Sequence, residues 1–161
     1  MTSTPEETAT AYHEAGHAVL ALALGRPVQR VTIEPNELRL GHCQLRKGTF
    51  RPSQDALETE ILILLGGLAA EAKHTGEYGW GGAARDLRAV RAFTSLRGGS
   101  DRQVEKLERR LLDKTEYLLD RPGMWTAVEL IAAELLRCTS ISGRAARHFF
   151  EQAMSQAAKD A

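Results

Sequence analysis

A chain of 161 residues lies in the range of one ordinary domain and can bury roughly 70% of its unfolded surface. Hydrophobic residues make up 43% and charged residues 26%, a globular composition that excludes a disordered or fibrous chain. Lys plus Arg and Asp plus Glu both number 21, so nothing in the charge balance calls for nucleic acid or an anionic membrane as partner. Two cysteines, Cys43 and Cys138, stand outside any CxxC pair and read as reduced thiols of a cytoplasmic protein. Met1 to Glu7 lacks the order of a signal peptide, and the longest apolar run, Ile61 to Ala70, is about half a bilayer span.

The elements follow in chain order. Thr4-Pro5-Glu6-Glu7 combines an N-cap, Pro at the first helical position and Glu at the third, which is a capping box. Tyr12, Ala15, Val19 and Leu22 then recur at helical steps and predict one buried face, with Gly25 and Pro27 ending the helix. Val28 to Ile33 and Leu38 to Leu45 alternate as strands around the turn Glu34 to Glu37, predicting a hairpin, and 46–54 reads as a loop. Asp55 caps a helix reaching about His74. The Gly66-Gly67 pair inside it costs roughly 1 kcal/mol per glycine against Ala, which predicts compensating close packing on another helix. Gly76 to Gly82 reads as a glycine-rich loop. Further helices are predicted over Ala83 to Leu96, Asp101 to about Asp120, Met124 to Arg137 and Ser142 to about Lys159. The fold class is α+β and mostly helical: one domain over 1–161, with an N-terminal helix and hairpin (4–45), a small sheet there, and a helical remainder (55–159).

The first helix carries His13-Glu14-Ala15-Gly16-His17, an HExxH pattern. Residues four apart on a helix lie one above the other, so two imidazoles can grip one ion. Glu14 projects about 100° further round, within reach of a water at that ion. The spacing suits zinc; the alternative placement is two histidines on a solvated helix face. A catalytic zinc takes a third protein ligand. His42, Glu58, Glu71, His74, Glu77 and Asp86 qualify by type, and spacing does not rank Asp86 above Glu71.

The ordered set Ala11-Tyr12-His13-Glu14-Ala15-Gly16-His17-Ala18, Val31-Thr32-Ile33-Glu34-Pro35, Leu40-Gly41, Gly66-Gly67-Leu68-Ala69-Ala70-Glu71 and Arg85-Asp86-Leu87 resembles the peptidase domain of the FtsH-type ATP-dependent zinc metalloproteases. The resemblance spans nearly the whole chain. It implies zinc, one per chain, held by His13, His17 and Asp86, with Glu14 as catalytic base. It also implies that substrate polypeptide is handled near Leu40, Gly41 and His42, on an edge strand that pairs with an extended peptide. Read from the residues, Glu71 either holds the second nitrogen of a ligand histidine or stands as a solvated helix charge. Two departures stand out: Glu77 to Ala84 replaces the family's usual Thr-Thr-Gly-Ala stretch, and Arg85 its usual Asn.

No GxxxxGK[ST] phosphate loop occurs in the sequence. The expected activity is therefore ATP-independent hydrolysis of peptide bonds in unfolded or flexible chains, with an ATPase on another chain as the partner the resemblance suggests. The alternative is a catalytically silent zinc or scaffold module that binds a protein. His74 and His148 are expected at the surface and Trp125, Phe149 and Phe150 in the core; Trp80, in the glycine-rich loop, is expected to be partly buried in the core, with a lid or substrate contact as the alternative.

Overall fold

The computed structural model describes residues 2–35, 42–45, 55–97 and 99–161. Helix α1 (Pro5–Ala23) starts with the expected capping box: Thr4 Oγ1 accepts from the Glu7 N–H at 3.1 Å, and Glu7 accepts from the Thr4 N–H at 2.9 Å. Strands β1 (Val28–Thr32) and β2 (His42–Leu45) pair antiparallel, with Val31 opposite Cys43. Helix α2 (Ala56–Thr75), capped by Asp55, ends on Gly76 in the left-handed region at φ 86°. Helices α3 (Ala84–Thr94), α4 (Asp101–Leu119), α5 (Met124–Cys138) and α6 (Gly143–Asp160) complete a mostly helical α+β fold. Among the described residues, no helix is long and apolar enough to cross a membrane.

The hairpin is not the whole sheet. A strand absent from the sequence reading, β3 (Ser140–Ser142), pairs antiparallel with β1 and gives the order β2-β1-β3. The central strand thus comes from the N-terminal third and one neighbour from the C-terminal helices. Gly143, at the start of α6, lies so close to β1 that an added Cβ would fall 1.7 Å from the Val28 carbonyl oxygen.

Helices α1 and α2 cross at glycines. A Cβ on Gly16 would lie 2.2 Å from the Gly66 carbonyl oxygen, and one on Gly66 would lie 2.9 Å from that of Gly16. This close approach is the compensation the Gly66-Gly67 pair predicts. It sinks α1 so deeply that residues 13–21 are buried all round, not on one face; Tyr12 and Leu22 are only half-buried. The main core gathers Val19 and Leu20 of α1, Val31 of β1 and Val128, Ile131 and Leu135 of α5. A second apolar cluster, with Ile61, Leu62 and Leu65 of α2, Val90 of α3 and Leu111 of α4, lies beyond α2.

Candidate metal centre

The HExxH segment sits in the middle of α1, where Ala11, Ala15 and Ala18 are wholly buried and leave room for larger neighbours. His13, Glu14 and His17 are 7%, 5% and 7% exposed, so the solvated-face placement does not apply. Each imidazole is fixed through its Nδ1. His17 Nδ1 donates to the Ile63 carbonyl at 2.7 Å, and His13 Nδ1 donates to Glu71 at 3.0 Å. The two Nε2 atoms then converge on one oxygen, Asp86 Oδ2, at 2.9 Å from His13 and 3.0 Å from His17.

The two candidates that spacing left unranked therefore reach the same ring from opposite sides. Asp86, in the first turn of α3, faces the nitrogens that share a focus; Glu71, on α2, stands behind one of them. The Ile63 carbonyl has no counterpart in the sequence reading, because a backbone oxygen carries no side-chain signature. Gly67 is a second such contributor: a Cβ there would lie 2.5 Å from both Nε2 atoms, so glycine keeps the focus open. Gly79 brings the glycine-rich loop against Glu71, where an added Cβ would come within 2.6 Å of its carboxylate.

A carbonyl oxygen can only accept, so His17 carries a proton on Nδ1; His13, facing the Glu71 carboxylate, does the same. Each Nε2 then meets Asp86 either as a second N–H or as a lone pair sharing a cation with the carboxylate. Without a cation, protonation is strongly favoured. Burial opposes charge on His13, but hydrogen bonds to Asp86 and Glu71 outweigh it and push the ring up to about 10. His17 is likewise raised, with Asp86 overcoming burial. Asp86 is held well below the usual carboxylate range by the two rings, again against desolvation. A divalent cation among neutral imidazoles supplies the same positive charge as two imidazolium rings. Donor type, focus and charge all fit zinc bound by His13, His17 and Asp86.

Glu14 lines the same cavity, of about 580 Å³, with Glu6, Arg85 and Arg88 at its walls. One donor atom each from His13, Glu14 and His17 lie within 4.8 Å of one another. Leu40 and Gly41 fall outside the described residues. The His42 backbone opens β2, an edge strand of the sheet, opposite Thr32. His74 and His148 are exposed, and His74 stacks on Tyr12 with ring centroids 3.8 Å apart. Trp125, Phe149 and Phe150 are partly buried against the core as expected, but Trp80 is 53% exposed and stacks on Tyr78 instead.

Sequence comparison places these features among known proteins. The ATP-dependent zinc metalloprotease FtsH of Magnetococcus marinus is 48% identical over 73 residues, covering 43% of this chain and 11% of that protein. The corresponding protein of Chlamydia trachomatis is 36% identical over 104 residues, 60% of this chain and 11% of its own length. FtsH 4 of Sorangium cellulosum is 36% identical over 120 residues, 71% of this chain and 16% of its own. The chain thus matches only a small part of each of these relatives. The sequence profile of Peptidase family M41 matches residues 1–96, which include α1, the hairpin, α2 and all of α3. This chain belongs to peptidase family M41.

Proposed function

We propose that the chain is a zinc-dependent endopeptidase that hydrolyses peptide bonds in unfolded or flexible polypeptides. The observation that carries this reading is the convergence of His13 Nε2 and His17 Nε2 on Asp86 Oδ2, with Glu14 in the same cavity. His13, His17 and Asp86 would hold one zinc, with the Ile63 carbonyl and Glu71 keeping each Nε2 lone pair aimed at it. Zinc bound there supplies Lewis acidity, which polarises a carbonyl and acidifies a water. Glu14 takes the proton of the attacking water and returns it to the departing amine nitrogen. Its burial keeps it within reach of the cleft and away from bulk solvent.

The edge position of β2 suits an extended peptide added by backbone pairing, with Leu40, Gly41 and His42 as the contacts the resemblance assigns. A substrate in that form must already be unfolded, since opening a stable domain costs about 5–15 kcal/mol. With no phosphate loop among these residues, hydrolysis by this chain is independent of ATP, and folded substrates would need an ATPase supplied by another chain. Residues 1–161 act as one unit in this reading, because β3 of the C-terminal part completes the sheet that β2 edges. In this reading the site of action is cytoplasmic.

The test is a metal analysis beside digestion of a disordered protein such as casein and of a stable folded one, each with and without ATP. One zinc per chain and ATP-insensitive cutting of the disordered substrate alone is the expected result. Bound zinc without turnover on any polypeptide would instead assign the chain as a silent zinc scaffold.

A further inference from the structure

The cavity at the metal centre has a charged wall that the proposed reaction leaves unused. Arg85 and Arg88 of α3 line it, with Glu6 and the proposed base Glu14 of α1. Three residues apart on a helix, the two arginines are surface neighbours, so both guanidinium groups can reach one anion. Both residues are exposed, and among the described residues neither enters an ion pair or a side-chain hydrogen bond. The Arg at position 85, one of the chain's departures from its family, supplies half of this charge.

The charges around them are engaged elsewhere. Arg91, the next arginine along α3, donates to Glu108 at 2.9 and 2.7 Å. Asp86 meets both imidazoles, and Glu71 meets His13 from behind. Glu6 lies near the start of α1, about 10 Å along the helix axis from His13, and pairs with neither arginine. The positive charge of the wall thus sits on the helix that carries Asp86. A guanidinium presents paired N–H donors that match the two oxygens of a carboxylate. In a cleft that receives a polypeptide, the groups of that kind are Asp and Glu side chains and the C-terminus.

We propose that Arg85 and Arg88 clamp one carboxylate, of a side chain or of the C-terminus, in the polypeptide bound in the cleft. They are specificity-determining residues. The inference rests on the peptidase reading above and adds the class of group the enzyme selects. Because the clamp and Asp86 ride on adjoining turns of one helix, the selected carboxylate lies at one fixed distance from the bond that is cut.

Uncharged peptides carrying a single Glu, Gln or Lys at a scanned position, each with a free or an amidated C-terminus, test this with zinc-loaded protein and cut sites read by mass spectrometry. Cuts should fall at one constant offset from the carboxylate, with kcat/KM about tenfold above the matching Gln or amidated peptide. An advantage that follows Glu assigns the clamp to side chains; one that disappears on amidation assigns it to the C-terminus. The Arg85→Gln, Arg88→Gln protein should bring the ratio close to one, and Arg85→Glu, Arg88→Glu should turn the preference toward Lys. No carboxylate preference in the parent, or one that survives both arginine changes, as direct ligation of zinc by the peptide would, overturns the clamp while leaving a peptidase. A second measurement needs no turnover. By calorimetry, Glu14→Gln protein should bind the preferred carboxylate peptide about tenfold more tightly than its neutral counterpart, and lose that margin when Arg85→Gln and Arg88→Gln are added. That margin in a protein whose parent cuts nothing would keep the clamp and remove the peptidase reading; equal binding would overturn the clamp.

Discussion

Helices α1 and α5 pack in the same core but bury different chemistry. From α5 the buried set is apolar: Met124, Ala127, Val128, Ile131, Ala132 and Leu135. From α1 it includes His13, Glu14 and His17 among small residues. A buried polar group costs stability unless it is hydrogen-bonded, and α1 meets that cost with acceptors borrowed from α2 and α3. The two helices therefore divide the work. One presents reactive groups that are stable only in company, and the other supplies the transfer energy that keeps the company assembled. Changes at Glu14 should alter chemistry with little loss of fold, and changes at the apolar residues of α5 should do the reverse.

The largest effect expected on the chemical side is from Glu14→Gln. It keeps shape and removes the base, so turnover should fall by about 10²- to 10⁴-fold while zinc content stays near the parent's. His13→Ala and His17→Ala should lose both. Near-parental turnover in Glu14→Gln would end the proposed mechanism. On the scaffold side, Leu135→Ala should cost about 2–5 kcal/mol in denaturant unfolding, since the side chain is wholly buried. Zinc stoichiometry in the folded fraction should be unchanged, and a matched loss of metal would show that the two helices do not divide as described.

A finer cut separates the two carboxylates on His13. Glu71→Ala should weaken zinc binding by about 10- to 100-fold in a competition titration, and Asp86→Ala by more. The reverse order would exchange their roles. The smallest effect lies far from the metal. Burial would raise Glu108, but Arg91 and Thr94 outweigh it and hold the carboxyl below its ordinary value. A group lowered in the folded state stabilises above its unfolded pKa, and the contribution disappears as pH falls below it toward the folded value. Glu108→Gln should therefore cost no more than about 1 kcal/mol at neutral pH and make acid unfolding less steep below about pH 4.5.

What was legible in the sequence was local. The Thr4–Glu7 cap, the four-residue step from His13 to His17 and the Asp55 cap of α2 all rest on neighbours a turn away. Choosing between Glu71 and Asp86 required knowing which nitrogen each would meet. That depends on how α2 and α3 dock on α1, and the resemblance alone suggested the order. The paired glycines announced a close approach, yet not that Gly66 serves the helix crossing and Gly67 the imidazoles. β3 was invisible because three residues, Ser-Ile-Ser, carry too little pattern and become a strand only by pairing with β1, about 110 residues earlier. Size and hydrophobicity alone placed Trp80 in the core; Tyr78 provides a surface partner that single-residue statistics do not see.

The start of α3 has a consequence of a different kind. α1, α2, α4 and α6 begin on Thr4, Asp55, Ser100 and Ser142, whose side chains accept from their own first turns. α3 begins after Ala83, which offers no such acceptor, and its first turn is tethered through Asp86 to the rings of α1. In the proposed metal site, zinc held by Asp86 and the two imidazoles would strengthen that tether. The amides of 84–88 would then report metal supply directly, exchanging with solvent quickly when zinc is scarce and slowly when it is bound.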